Sequence, residues 1–467
     1  MRRSWVGCLL CVCLGSAVAG GLGACGDDDH GDDDDIPDAS PFPDGVVADA
    51  TIVPDARPLF GAITVKVYDE NGLPREGVEV VVGRFDSINQ VATTAANGVA
   101  TLTVNSGDSV TAGYDFQTKG VIRRVMTWNA VEPGDALTMG SPVGSGSELG
   151  QLTVDAPGAF AGASAYEAST GCEQQVSVDP GPFVLSLSTP CHRDPTHVPV
   201  LLVAGDGQQG ALAYASKSDV AVAGEASVAF DAWRTDFIDF TSHVTNPPAG
   251  VSLERRLALV APAGERFPFS VPADDVTPGA ASVRLPQGVG PGWIYADHLI
   301  ENAALGRWNV VAGSAPIPAT LSFDAGTGLM ARFDALNVDP SDPAHMVAQW
   351  TFDATSGSTL DDAVVVIYQL DEPGINFGTW TVVVPPATTA LRLPTLPEDM
   401  AALRMTRLPR STRLVAIESN NADYAQLRQV LTGFEQDGEA LWQVVTSPLH
   451  SGTVRLSERV FSSVTKR

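Results

Sequence analysis

Ile63, Val65 and Val67 alternate with Thr64, Lys66 and Tyr68, and a period of two predicts a strand with one face buried. The segment Asp69-Glu70-Asn71-Gly72-Leu73-Pro74 supplies turn residues, after which Val78, Val80 and Val82 alternate again. A second unit of the same kind follows. Val91-Ala92-Thr93-Thr94 leads to a turn at Ala96-Asn97-Gly98, then to Ala100-Thr101-Leu102-Thr103-Val104, a further turn at Asn105-Ser106-Gly107-Asp108, and an apolar stretch at 110–114. Asn97-Gly98 suits the positive φ angles of a tight hairpin.

Beyond residue 115 the pattern stays β-rich. Short apolar or alternating runs recur at 151–154, 183–187, 198–203, 211–214, 257–260, 308–311, 321–323, 346–352, 364–370, 379–384, 414–417 and 441–445, separated by Pro, Gly, Asp and Asn. Segments long enough for crossover helices are missing between them, so the expected fold class is mostly β, built as tandem β-sandwich domains of immunoglobulin-like or related type. One helix is expected over 422–431, where Tyr424, Leu427 and Leu431 share a face and Gly433 can end it. The expected divisions are a β-sandwich at 61–140, a β-rich domain at 150–245, another or its continuation at 251–315, and a C-terminal β-rich domain at 318–467. A weak internal echo joins the last two. Phe267-Pro268-Phe269 leads to Arg284-Leu285-Pro286, and Trp380-Thr381-Val382 leads to Arg392-Leu393-Pro394, with the two Arg-Leu-Pro sites 108 residues apart. Either a duplicated domain or a Pro-rich β composition accounts for it.

The string Gly61-x-Ile63-x-Val65-x-Val67-x-Asp69-x-x-Gly72-x-Pro74-x-x-Gly77-Val78-x-Val80, followed by Thr94-x-x-Asn97-Gly98-x-Ala100-x-Leu102, resembles the carboxypeptidase regulatory-like β-sandwich. The likeness covers about 60 residues. It implies a noncatalytic module and carries no active site with it.

The start of the chain reads differently. Arg2 and Arg3 precede an apolar stretch from Val6 to Val18, which runs into Leu22-Gly23-Ala24-Cys25. The charged, apolar and small-residue order is that of a secretory leader. Together with Cys25 it resembles the lipobox of bacterial lipoproteins, which implies cleavage after residue 24 and acylation of Cys25. More than one acyl chain there makes membrane anchoring stable. Gly26 in place of Asp after that cysteine is similar to the pattern that permits transfer to an outer membrane, so outer membrane or cell surface is expected over inner membrane.

Charge and cysteine count then narrow the classes. The chain has 467 residues, 28 Lys and Arg against 55 Asp and Glu, and a formal charge of -27; the leader takes two arginines with it. Such a balance excludes the basic face needed to displace counterions from nucleic acid. Cys8, Cys11 and Cys13 leave with the leader and Cys25 becomes the anchor, so Cys172 and Cys191 remain, eighteen residues between them. An exported compartment permits a disulfide between the two, which would close a loop worth roughly 3 kcal/mol on the chain-entropy picture. Residues 26–60 hold 11 acids and a single strong base, Arg57. Self-repulsion and the lack of an apolar period predict a disordered acidic tether, with an end-to-end distance of roughly 30–35 Å for a neutral coil and more when charged.

The search for chemistry finds no H-E-x-x-H, nucleophile elbow, phosphate loop or dinucleotide fingerprint, and no cofactor is expected. His192, Asp194 and His197 lie close in sequence, but a surface loop explains them more simply than zinc, and no metal is expected. Trp233 and Trp293 sit beside turn-like sequence and are the candidates for stacking on sugar rings; packing under a loop is the competing reading. Three functions stay open: a noncatalytic envelope lipoprotein displaying sandwich modules for recognition or spacing, a carbohydrate-binding lipoprotein, and an extracytoplasmic hydrolase with an unrecognised site. The implied partners are the membrane, through the lipid, and an envelope glycan or protein.

Overall fold

The computed structural model describes residues 59–462 except 85, 118–119, 141–147, 189–195, 208–209, 223, 262–265, 271–278, 288–292, 303–305, 315, 340, 354–361, 421 and 433–451. The expected leader, Cys25 and the acidic tether therefore lie outside the described residues.

Strands dominate and fall into groups of seven. The first group is β1 (Phe60–Val67), β2 (Glu79–Arg84), β3 (Ser87–Thr93), β4 (Val99–Asn105), β5 (Asp108–Gln117), β6 (Val121–Val131) and β7 (Ala136–Met139). The second is β8 (Glu148–Asp155), β9 (Ala165–Ser169), β10 (Gln174–Ser177), β11 (Phe183–Ser188), β12 (His197–Gly205), β13 (Ala211–Ala221) and β14 (Gly224–Ala229). The third is β15 (Ile238–Thr245), β16 (Ser252–Val260), β17 (Arg266–Ser270), β18 (Gly279–Leu285), β19 (Trp293–Asn302), β20 (Gly306–Ser314) and β21 (Thr320–Asp324), followed by the single turn α1 (Ala325–Gly328). The fourth is β22 (Phe333–Asp339), β23 (Val347–Phe352), β24 (Ala363–Gln369), β25 (Ile375–Val384), β26 (Ala390–Arg392), β27 (Ser411–Ser419) and β28 (Gly452–Ser462), with α2 (Tyr424–Val430) between the last two.

In each of the first three groups the first strand is the centre of a three-stranded sheet. It lies between the fourth strand and the seventh, as in β4-β1-β7, β11-β8-β14 and β18-β15-β21. The other four strands run third, second, fifth, sixth. The fourth group shifts this wiring by one position: β22-β23-β26 forms the small sheet and β25-β24-β27-β28 the large one. Its outer strand comes from the start of the module, antiparallel to β23, where the earlier modules use their last strand in parallel.

The large sheets of modules 1, 3 and 4 do not stay separate. They join edge to edge in one 12-stranded sheet, β17-β16-β19-β20-β28-β27-β24-β25-β6-β5-β2-β3. Antiparallel pairing of β20 with β28 makes one seam, and parallel pairing of β25 with β6, from Ile375 opposite Val121 to Val383 opposite Trp128, makes the other. The last module in sequence thus sits between the third and the first. Pairing two edges removes rows of unsatisfied N–H and C=O groups, the standing hazard of any open sheet.

Because side chains alternate across a strand, the two faces of this sheet bury different cores. Trp128, Met126 and Val110 face the small sheet of module 1 together with Ile63, Val65 and Leu102. Trp380, Val382, Val364 and Tyr368 point the other way, toward Trp350, Phe333 and Leu391 of module 4. Interior strands are covered on both faces, so β24 is buried at Ala363 through Tyr368 and β5 at Asp108 through Tyr114. Module 2 keeps its own core around Leu152, Phe183, Leu202 and Ala213, while Leu201 and Tyr214 on its outer face pack with Phe240, Leu257 and Phe267 of module 3.

The structure does not show the expected Cys172–Cys191 disulfide. No such pair is found among the described residues: Cys191 falls in the undescribed stretch 189–195. Cys172, half-buried in the turn after β9, is in the disulfide-bonded state, and the partner expected for it lies outside the described residues.

Glu167 on β9 is half-buried, and burial raises its carboxyl above the usual range despite a hydrogen bond from Gln174. A raised carboxyl favours the protonated folded state, so the folded form is most favoured below the ordinary glutamate pKa and loses that advantage as pH rises through the folded value. Glu167→Gln should therefore raise the melting temperature at pH 7 and change it little near pH 4. Equal melting temperatures of the two proteins at pH 7 would refute the assignment.

Candidate functional site

The seam between modules 1 and 4 gathers several buried polar groups. Trp380 is fully buried, and its indole N–H donates to Thr127 Oγ1 at 3.0 Å. Thr127 in turn shares a hydrogen bond with Thr111 at 2.9 Å. On the opposite face α2 crosses from module 4 onto module 1. Asp423 caps it by accepting from Gln426 N–H while the Gln426 side chain accepts from Asp423 N–H, a reciprocal capping box. This start sets Leu427 into the core of module 1 and aims Arg428 at Asp135. Arg428 Nε lies 2.7 Å from Asp135 Oδ2 and Nη2 3.0 Å from Oδ1, while Nη1 donates to Ala130 O at 2.8 Å. Both side chains are nearly sealed, 3% and 6% exposed. Ala130 holds a left-handed φ of 50° to within a degree, at 49°, an uncommon conformation for a residue with a Cβ. Tyr424 Oη lies 2.6 Å from Asn129 O and 3.2 Å from Val383 O, and so touches both modules; burial raises its pKa.

Shallower and more polar is a surface at the end of module 4. A groove of about 340 Å³ is lined by Asn337, Val338, Asp339, Val347 and Gln349. A second of about 170 Å³ adjoins it at Asp339 and Val347 and adds Ser341, Asp342, His345 and Arg392. Asp342 caps a 3-10 turn, Pro343–His345, by accepting from Ala344 N–H, and its other oxygen is 2.8 Å from His345 Nδ1. The His345 contact holds the Asp342 carboxyl below its usual range, and the backbone N–H of Ser341 does the same for Asp339. Arg392 closes the groove against module 1 by pairing with Asp86. The arrangement offers fixed carboxylates, an imidazole and amide groups to a polar ligand. Among the described residues no three His, Cys, Asp or Glu side chains converge as metal ligands.

Trp233 is not a free platform. It is half-buried, its indole N–H donates to Gly158 O at 2.9 Å, and its ring packs against Phe160 and Tyr166 with centroids 6.4 and 6.0 Å away. Trp293 begins β19 opposite Val260, and its side chain lies outside the described residues. His192 and Asp194 do as well. His197 starts β12 and takes a 2.9 Å contact with Thr196 Oγ1, with Nε2 4.0 Å from Asp219.

The fold defines a mostly β protein of tandem sandwich modules. No family model and no curated protein matches the chain. Among solved structures it is similar to the FN1–FN3 domains of chicken CNTN1, at 12% identity over 55% of this chain and 81% of that one, with a TM-score of 0.12. It is also similar to a tetra-tandem repeat from the extending region of a large adhesion protein, at 12% identity over 77% of this chain and 95% of that one, TM-score 0.12. Likeness at that level carries no functional argument.

Proposed function

We propose that the mature chain is a noncatalytic cell-envelope lipoprotein that carries its sandwich modules as one stiff body for surface recognition or spacing. The observation that supports this most is the 12-stranded sheet, which welds modules from both ends of the chain into a single support. A beaded array bends at its linkers; a continuous sheet with covered faces does not, because bending it breaks ladder hydrogen bonds and opens packed core. Acyl chains on Cys25 would hold this body at a membrane, the outer one or the cell surface, and the acidic segment 26–60 would keep it clear of the headgroups. The polar groove of module 4, around Asp339, Asp342, His345 and Arg392, is the surface best suited to an envelope glycan or protein.

Mass spectrometry of the protein recovered from its native host tests the anchor. Loss of residues 1–24 and an acyl mass on Cys25 are expected, with the acyl mass and membrane fractionation both abolished in Cys25→Ala. A wild-type N-terminus that retains the leader, or Cys25 without added mass, would refute the lipoprotein reading.

A further inference from the structure

Among the described residues the 12-stranded sheet ends at β3 on one side and β17 on the other. The two ends differ. β17 reads RFPFS, so it carries both a charge and a proline, two features that discourage strand addition. β3 reads SINQVAT over seven residues with no charge, proline or glycine, and leaves Ile88 39% and Val91 42% exposed.

Three other edges are guarded. On β4, Thr103 N–H is taken by the Gln90 side chain at 2.8 Å. On β11, the amides of Val184 and Ser188 are taken by Gln175 and Glu173 at 2.7 and 3.0 Å. On β13, Lys217 stands exposed.

The register fixes which groups of β3 point outward. Thr94 N–H donates to Val78 O, and Gly77 N–H donates to Thr94 O, both at 2.9 Å. Thr94 therefore faces β2, and by alternation so do Ala92 and Gln90, which pair with Val80 and Val82. Val91 and Thr93 turn their N–H and C=O groups away from β2, to the open side.

We propose that β3 pairs with β3 of a second copy of this chain, antiparallel about a two-fold axis at Val91. A two-fold axis is the commonest symmetry of a self-association, and this strand is complementary to itself. Val91 meets Val91, and Thr93 comes opposite Asn89, the residue at the bulge between the Val82–Gln90 and Gly83–Ile88 pairs, with no like charges opposed. The chain already assembles this way internally: two of its own large sheets add to a third through edge strands. Pairing at β3 continues that sheet across two molecules, and the -27 charge of each chain has no member on the strand.

The test is sedimentation equilibrium of the full chain bearing Cys25→Ser, which removes the acylation site, across the micromolar range. The average mass should rise from one chain toward two. Val91→Lys sets two ammonium groups against each other and Val91→Pro removes the outward N–H, so each should weaken association at least about tenfold. Val91→Cys should cross-link to its own copy on mild oxidation, whereas the more exposed Val176→Cys should not. Melting temperatures near wild type would verify that the variants fold. A single-chain mass at every concentration overturns self-pairing and leaves the edge to a strand of another protein. Dimers undiminished by Val91→Lys, with no Val91→Cys cross-link, overturn it equally.

Discussion

Arg428→Ala should cost the folded protein about 3–5 kcal/mol, because it leaves the Asp135 carboxylate sealed in apolar surroundings with its strongest partner gone. The guanidinium makes a two-point contact with Asp135 and a third bond to Ala130 O. Water cannot replace these without opening the contact between α2 and β7. Arg428→Lys should recover a part only, since one ammonium cannot reproduce a planar fork reaching two carboxylate oxygens and a carbonyl. A third variant separates the cost of breaking the pair from the worth of the pair itself. Asp135→Leu combined with Arg428→Met removes both charges and should cost less than Arg428→Ala alone, as apolar replacements of a buried pair often do. Urea unfolding midpoints at unchanged slope measure all three. An Arg428→Ala midpoint within error of wild type would mean that α2 does not seal module 1.

Trp380→Ala should be of similar size, about 3–5 kcal/mol for the loss of a buried indole. Its consequence is different. Trp380 lies on β25 opposite Val125 of β6, across the parallel seam, and its N–H ends on Thr127 Oγ1. The truncation opens a cavity in the core of module 4 and frees a hydroxyl at the boundary with module 1. Trp380→Phe keeps most of the volume and loses the hydrogen bond, so it should cost about 1–2 kcal/mol. Hydrogen exchange provides the locating measurement. In Trp380→Ala the amides of β6 and β25 should exchange faster, while those of β8 and β12 in module 2 stay protected. Uniform acceleration through all modules would contradict a local seam.

Much of this fold is legible from residue patterns. The alternations at 63–67 and 78–82 become β1 and β2, and the helix expected at 422–431 runs from Tyr424 to Val430. The turn at Asn97-Gly98 forms with Gly98 at a φ of 73°, but it carries the chain from one sheet to the other, so β3 and β4 are not the hairpin pair expected there. The Arg-Leu-Pro echo has a structural counterpart. Arg284 and Leu285 end β18, which pairs antiparallel with the central strand β15, and Arg392 ends β26, which pairs antiparallel with the central strand β23. Under the one-position shift of module 4 these are corresponding strands.

The seams are not legible in the same way. A strand inside a wide sheet has both faces buried, so its signature is a continuous apolar run, as in Val364-Val365-Val366-Ile367. Such a run tells that neighbours cover it and not which neighbours they are. β6 is harder still. Arg123 and Arg124 interrupt its run, yet Arg123 is buried because Asp115 on β5 meets its guanidinium with two 2.8 Å contacts. The partners of the seam lie some 250 residues apart, Trp380 and Thr127 among them, a separation that no local pattern reports. Trp233 shows the converse. Its turn-like surroundings in sequence leave open both a stacking ring and one packed under a loop, and Gly158, Phe160 and Tyr166, arriving from a distant loop and strand, cover it.

The union of first and last modules is tested most directly at its exposed rim, where Arg392 of module 4 pairs with Asp86 of module 1, 306 residues earlier. Asp86→Cys combined with Arg392→Cys, treated with a short bismaleimide at high dilution, should give an intramolecular cross-link recovered as one joined peptide, and neither single variant should give it. Two thiols that each take reagent separately, with no joined peptide at any dilution, would contradict the union of the two modules.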